Sequence, residues 1–349
     1  MNKLTKVGCS ALCGSLAAIS AAQAGDITVT GGADMTWIHK GGTAGDPTGN
    51  PIGMGSNLTF KGSGELDNGW TFALTIANKN ASVYSSSNID IVMGGLGSIN
   101  IDQGDSGNGL SAFDDKMPTA WEETWGGGLG TGIRLITGAG SNMNVMYTTP
   151  KVLGTTLTYT IAPDVGVTQT ADKNTGSAGE GTGKQQDLTI NINPSLGTEI
   201  LSGLNLFAGA SILENYDNHA TIEEDQYEGT FGITLDIGPL SLGSQWMGEY
   251  TGEEVDKAYI GYKTHAFGVA FNINDDLSVS YAEFDQRKAA VTHSAAYTGR
   301  GDRVSIESLQ VAYSVGGASI RLAEHEADNV SFSADNNKEA TVLSVGLAF

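Results

Sequence analysis

Cysteine is nearly absent from this 349-residue chain: it has two, Cys9 and Cys13, both close to the N-terminus. Proline is scarce as well, with 7 residues, which excludes a collagen-like chain and a Pro-rich disordered one. No apolar run approaches the ~18 residues a membrane-crossing helix needs. With a mean hydropathy of -0.12, a bundle of membrane helices is ruled out. Basic side chains number 18 against 39 acidic ones, a formal charge of -21, so nucleic acid is a poor partner. The 5 histidines, His39, His219, His265, His293 and His325, are scattered along the chain. No G-x-S-x-G elbow, G-x-G-x-x-G, Walker A or H-E-x-x-H motif is found. The expectation is a protein that is not an enzyme and needs no cofactor. Glycine, by contrast, is abundant at 49, about twice its usual share.

The first 24 residues read as an export signal. Lys3 and Lys6 give a basic start, Ala11 to Ile19 an apolar stretch, and Ala22-Gln23-Ala24 an A-x-A cleavage site before Gly25. A membrane anchor would need about twice that apolar length. A lipoprotein would need a cysteine at the end of the stretch, whereas Cys9 precedes it and Cys13 lies inside it. Cleavage of 24 from 349 residues leaves 325, with 39 acidic and 16 basic side chains, a charge of -23. Both cysteines leave with the signal, so disulfides, thiol chemistry and Cys-based metal sites are excluded.

Alternation with period 2 recurs along the rest of the chain. Trp70, Phe72, Leu74 and Ile76 share one face of a strand, with Thr71, Ala73, Thr75 and Ala77 on the other. Leu188-Thr189-Ile190-Asn191-Ile192 and Phe231-Gly232-Ile233-Thr234-Leu235 repeat the pattern. A soluble sandwich also alternates, but three features favour a membrane barrel. The non-apolar face is small, polar or charged, as a water-filled lumen requires. Trp37, Trp70, Tyr147, Tyr159, Tyr250 and Tyr259 fall near strand ends, where interfacial girdles lie. The sequence finishes on Phe349 at the end of an alternating strand.

Sixteen strands are predicted, at 26–39, 54–66, 70–79, 88–93, 97–102, 141–149, 154–162, 186–193, 203–213, 226–237, 240–249, 256–272, 277–286, 303–315, 318–327 and 339–349. An even number suits a single-chain bacterial barrel. Tight connections such as Asp67-Asn68-Gly69, Gly238-Pro239 and Gly316-Gly317 alternate with long polar ones at 40–53, 163–185, 214–225, 287–302 and 328–338. The expected fold is therefore all-β: a 16-stranded antiparallel transmembrane β-barrel occupying 25–349. The connection at about 103–140 is far longer than the rest. A loop above ~15 residues needs a reason to exist in a compact fold. Phe113, Trp121 and Trp125 predict that it packs in the barrel interior.

These features resemble the trimeric general porins. The stretch from Asn57 to Trp70 looks like their second hairpin, and Ser98 to Asp105 like their fifth strand entering the third loop. Ala312 to Ile320 resembles the late hairpin of alphaproteobacterial porins of the Rhodobacter type. The resemblance covers essentially all of 25–349. It implies an outer-membrane homotrimer among lipid and lipopolysaccharide that passes small hydrophilic solutes and ions. It also implies that the inward-folded third loop narrows the pore, its acidic groups facing basic groups on the wall.

The acidic candidates are Asp105, Asp114, Asp115, Glu122 and Glu123. Taken alone they fit a solvated surface loop as well as a constriction. Calcium is a further partner to consider, because hard cations prefer oxygen ligands, although no EF-hand spacing appears. Strand parity selects the basic candidates. Leu58 and Phe60 facing lipid would send Lys61 inward, Ile320 and Leu322 would do so for Arg321, and Val304 and Ile306 for Arg303. Phe349 is the expected closure residue, because the last strand must pair with the first to remove both edges. The expected function is a general diffusion porin, weakly cation-selective. The alternatives are a substrate-selective porin and a plugged structural or adhesive barrel. An aromatic sugar slide and a basic phosphate constriction are both missing from the pattern.

Overall fold

Strands whose two faces differ in polarity can bury neither face alone, and in this chain they close on themselves. The computed structural model describes residues 27–43, 49–80, 82–104, 107–166, 181–194, 201–215, 224–255, 258–291 and 302–349. The predicted signal at 1–24 lies outside them. The first eight strands are β1 (Ile27–Gly41), β2 (Ile52–Glu65), β3 (Thr71–Lys79), β4 (Ser82–Val92), β5 (Ser98–Asp102), β6 (Asn144–Thr148), β7 (Thr155–Ala162) and β8 (Gly183–Ile192). The second eight are β9 (Leu204–Asn215), β10 (Gln226–Ile237), β11 (Leu240–Val255), β12 (Ala258–Asn272), β13 (Leu277–Val291), β14 (Val304–Val315), β15 (Ala318–Asp328) and β16 (Lys338–Ala348). Each pairs antiparallel with its chain neighbours, and β1 pairs with β16, giving a closed barrel of sixteen strands. Among the described residues no helix is long and apolar enough to cross a membrane.

The register puts large apolar side chains on the outside. Leu343 stands between Trp37 and Leu322, and Val345 between Met35 and Ile320. Leu309, Leu347 and Phe231 are each 58–59% exposed, an arrangement that only a hydrocarbon solvent stabilises. Inward positions of the same strands carry Thr, Ser, Gln, Asn and charge, with Gln310, Ser308 and Ser344 at 0–1% exposure. Short turns lie at one end and the long loops at the other.

Several boundaries differ from the sequence expectation. β4 begins at Ser82 rather than 88, and β11 and β13 run on to Val255 and Val291. These extensions lie at the long-loop end. Their sequences, such as Thr251-Gly252-Glu253-Glu254, carry no apolar alternation that would mark them as strand. β6 is shorter than expected, starting at Asn144, because the residues before it belong to the inward loop.

The last residue extends the β1–β16 seam by one backbone pair. Phe349 N–H donates to Gly31 O (3.0 Å) and Gly31 N–H to Phe349 O (3.1 Å). The Phe349 ring lies over Gly31, where a Cβ would come within 2.9 Å of Phe349 Cζ. Replacing Phe349 with Ser keeps the backbone pair and removes roughly 2 kcal/mol of apolar contact. The expected result is a smaller fraction of heat-resistant barrel in outer-membrane extracts on unheated gels. An unchanged fraction would show that closure does not use the ring.

Candidate functional site

The inward loop joins β5 to β6. Its ends are bridged at Asn108 and Gly140, and Asn108 Nδ2 donates to Asn100 Oδ1 (2.7 Å) and Asn144 Oδ1 (2.9 Å). The outgoing limb follows the inner wall. Leu110 N–H donates to Asp187 of β8 (2.8 Å), Lys116 N–H to Gln245 of β11 (3.1 Å) and Ala120 N–H to Ser280 of β13 (2.8 Å). Trp121 and Glu122 N–H groups share Gln310 Oε1 of β14 (3.0 and 2.9 Å). The tip reaches β16 and β1, where Lys338 Nζ donates to Leu129 O (2.8 Å) and Lys40 Nζ to Gly128 O (2.6 Å). The return limb runs back over β13 to β8. Arg134 N–H donates to Gln286 (2.8 Å), Thr137 and Gly138 N–H groups to Glu228 (3.0 and 2.7 Å), and Ala139 N–H to Asp187 (3.0 Å). The Arg134 guanidinium meets Glu249 at 2.6 Å.

Three wall glutamines replace the strand partner this loop lacks. Each accepts from loop N–H groups, as above, and donates back to a loop carbonyl: Gln245 to Phe113 O (2.5 Å), Gln310 to Glu122 O (2.7 Å) and Gln286 to Arg134 O (2.5 Å). Apolar packing completes the seal. Leu110, Met117, Leu129 and Ile136 of the loop are buried with Met247, Phe284, Val304 and Ile306 of the wall. Trp125 sits edge-on to Phe284, ring centroids 5.2 Å apart. Glycine makes room for the loop at Pro118, whose Cδ a Cβ on Gly243 would approach within 2.6 Å.

The loop therefore lines the barrel from β8 round to β16 and leaves the inner faces of β2 and β3 to the lumen. Asp114, Asp115 and Glu122 are half-buried, and Glu123 is exposed. Asp114 Oδ1 accepts from Asp115 N–H and Asp115 Oδ1 from Met117 N–H, both at 2.8 Å. Burial raises the Asp114 carboxyl above the ordinary range. It pushes Asp115 up to about 7, against the opposing Met117 N–H, and Glu123 and Asp114 add to the rise. Glu122 is pushed up to about 8, first by burial and then by Glu123, with Arg321 opposing. Asp105 lies outside the described residues. Among those described, no group of three His, Asp or Glu side chains is placed to hold a metal ion.

Of the basic candidates, Lys61 lies opposite Thr28 and Thr75, on the lumen side of the rung where Phe60, Val29 and Ile76 face out. Arg321 is buried on the inner face, paired with Asp34 and 3.1 Å from Ser344 Oγ. Its guanidinium carbon lies 4.9 Å from the Trp121 ring, so this wall cation sits directly against the loop. Arg303 is not inward, contrary to the parity argument. Val304 and Ile306 are fully buried on the inner face, because there it meets the packed loop rather than water. Arg303 falls on the outer side just ahead of β14, with Nη1 2.9 Å from Asp285 Oδ2.

With this geometry in place, comparison with known proteins is decisive at the family level. The profile of the Gram-negative porins matches residues 8–349. The chain belongs to that family. No curated protein matches it in sequence. The anion-selective porin from Comamonas acidovorans is similar in structure, with a TM-score of 0.62 at 14% identity over 93% of this chain and 99% of that one. A loop-L8 deletion mutant of OmpT from Vibrio cholerae reaches 0.66 at 12% identity, over 93% and 100%. OmpF of Salmonella typhi, in complex with daunomycin, gives 0.62 at 11%, over 94% and 98%. The Rhodobacter-type subgroup is not singled out by these matches. This porin is thus a multi-pass β-barrel of the outer membrane that forms a diffusion channel.

Sequence reasoning missed the parts of the porin that hold the loop. Gln245, Gln286 and Gln310, with Glu228 and Asp187, were legible only as polar members of alternating strands. The available signal was their size: a buried glutamine is larger than the Thr and Ser around it. Gln310→Leu leaves two loop N–H groups and one carbonyl without their partner, a local cost of roughly 1–3 kcal/mol. The expected outcome is noisier open-channel current in planar bilayers with an unchanged yield of folded barrel. A current as quiet as wild type would show that the amide is dispensable.

Proposed function

We propose that this porin is a general diffusion channel, weakly selective for cations, through which small hydrophilic solutes and ions pass without covalent chemistry or energy coupling. The observation that carries this reading is the one-sided course of the inward loop. It leaves β2 and β3 uncovered, so the barrel keeps an aqueous path and is not plugged. In this reading the loop carboxylates Asp114, Asp115, Glu122 and Glu123 and Lys61 of the uncovered wall border that path, while Arg321 lies against the loop itself. The functional unit is a homotrimer set in outer-membrane lipid and lipopolysaccharide, a reading supported by the trimer form of Vibrio cholerae OmpT, a protein of the same fold. The Rhodobacter-type likeness rests on the hairpin from Ala312 to Ile320. The Comamonas porin is named for anion selectivity, so the sign belongs to each pore's own charges and is measured here directly.

At 0.1 M salt the Debye length is ~10 Å, comparable to a porin constriction, and at 1 M it falls to ~3 Å. Zero-current potentials across a KCl gradient should show a modest cation preference that fades near 1 M. The variant Asp114→Asn/Asp115→Asn/Glu122→Gln/Glu123→Gln should lose it, and an unchanged potential would place the loop charges away from the ion path.

Raised carboxyl values add a pH dependence with a definite sign. Asp115 and Glu122, at about 7 and about 8, are neutral below those values and charged above them. Cation preference should therefore rise between about pH 6 and pH 9 rather than saturating near pH 5, where ordinary carboxylates are already ionised. In Asp115→Asn/Glu122→Gln the rise should vanish. A potential flat across that range in wild type would remove these two groups from the selectivity mechanism.

A further inference from the structure

Two Asn-Gly pairs occur in this chain, Asn68-Gly69 and Asn108-Gly109. An asparagine before glycine can lose its side-chain amide. The next peptide nitrogen reaches the side-chain carbonyl carbon, and glycine has no Cβ to obstruct the approach. The structure treats the two pairs in opposite ways.

Asn68-Gly69 is the exposed tip of the β2–β3 turn, at the short-turn end of the barrel, which is the periplasmic end. Asn68 Oδ1 accepts from the Trp70 N–H (3.1 Å), which curls the side chain over the Gly69 peptide between them. The same N–H polarises the amide carbonyl and stabilises negative charge developing on its oxygen. Gly69 lies in the left-handed region (φ +79°). A Cβ there would find no atom beyond its chain neighbours nearer than Glu65 Oε1 at 4.0 Å, so a ring has room to close. One contact opposes the reaction: the Gly69 N–H is donated to Leu66 O (2.8 Å). An exposed turn tip opens locally at little cost, and water then replaces Leu66 O.

Asn108-Gly109 opens the inward loop and is buried. Its Nδ2, the group that would leave, is held by Asn100 Oδ1 (2.7 Å) and Asn144 Oδ1 (2.9 Å). A Cβ on Gly109 would collide with Asp187 Oδ2, so the space beside this peptide is already filled. Two further turns isolate the role of the nucleophile. Asn50 Oδ1 accepts from the Ile52 N–H (3.2 Å), but the intervening Pro51 has no N–H to give up. Asn274 Oδ1 accepts from the Asp276 N–H (2.9 Å), with Asp275 between them, whose side chain crowds the attack.

We propose that Asn68 is a site of spontaneous backbone modification. The Gly69 nitrogen attacks Asn68 Cγ. A new N–C bond closes a succinimide ring as the Cγ–Nδ2 bond breaks, and ammonia leaves with the Gly69 proton. Water then opens the ring at either carbonyl. One opening leaves an aspartyl residue at position 68. The other leaves an isoaspartyl link, in which the chain runs through the side chain and is longer by a methylene carbon. Both products add a carboxylate beside Asp67 and Glu65, at the rim of the wall that the inward loop leaves uncovered. The chemistry belongs to the turn alone and is independent of the channel's selectivity.

The test ages the purified folded porin in detergent at mildly alkaline pH. Its peptides are followed by mass and by electron-transfer fragmentation, which tells isoaspartyl from aspartyl. Asn68 should convert at least about tenfold faster than Asn108, because two buried hydrogen bonds must break before Asn108 can react. In a guanidinium-unfolded sample the two sites should convert at comparable rates. Asn274 should lag behind Asn68, and Asn50 should not convert. Conversion at Asn68 should quicken about tenfold per pH unit, as the deprotonated fraction of the Gly69 nitrogen does. Asn68→Ser should keep the heat resistance of wild type and abolish the mass gain, which assigns it to this amide rather than to Asn78 of the same tryptic peptide. Equal rates at Asn68 and Asn108 in the folded porin would overturn the proposal. So would Asn274 keeping pace with Asn68, or a mass gain that persists in Asn68→Ser.

Discussion

Every N–H and C=O of the inward loop must find a partner in a space where much of the water has been displaced. That requirement organises the interior. A strand in the wall satisfies its neighbours through its own backbone, but the loop has no strand beside it. Side chains substitute: Gln245, Gln286 and Gln310 each present an acceptor and a donor as a neighbouring peptide would. Glu228 and Asp187 accept from the N–H groups of the return limb. Lys40 and Lys338 donate to carbonyls at the loop tip. Each anchor is complementary to the backbone group it meets, so the loop is fixed along its length and not only at its ends.

The same burial that fixes the loop changes its charge. Asp115 and Glu122 are held in a loop packed against Phe284, Val304 and Ile306, so the proton is retained to higher pH than in water. Net charge is consequently a poor guide to the pore. The outward register of Glu283, Glu307, Glu326 and Glu339 contributes to the total yet is separated from the lumen by the barrel wall. What an ion meets is set by the few groups that face the uncovered wall, and by how many of them are ionised at the working pH.

How much of this was legible in the sequence follows from where each pattern originates. Strand number, closure and the identity of the inward loop came through, because lipid on one side and water on the other impose period 2 at every strand. The pattern failed wherever the solvent assumption failed. Val304 and Ile306 are apolar and inward because the loop, not water, faces them, and Arg303 was misplaced for that reason alone. The outer ends of β11 and β13 were missed because their sequences carry no apolar alternation. The anchoring glutamines stayed hidden because a polar inward residue looks the same whether it meets water or a peptide group. Asp105 lies outside the described residues, and its place in the site stays with the sequence argument.

Neutral amides as the principal loop anchors have an electrostatic consequence. A loop held chiefly by lysines and arginines would bring its own counter-charges to the constriction and cancel the carboxylates beside them. Gln245 and Gln310 hold the stretch from Phe113 to Glu122, where three of the loop's carboxylates lie, without adding charge. Arg321 is the exception, and its charge is already shared with Asp34 and directed at the Trp121 face. Position and potential are thereby set by different residues. The loop can be held rigidly while the field across the pore is tuned by substituting carboxylates alone, without dismantling the contacts that keep the loop in place.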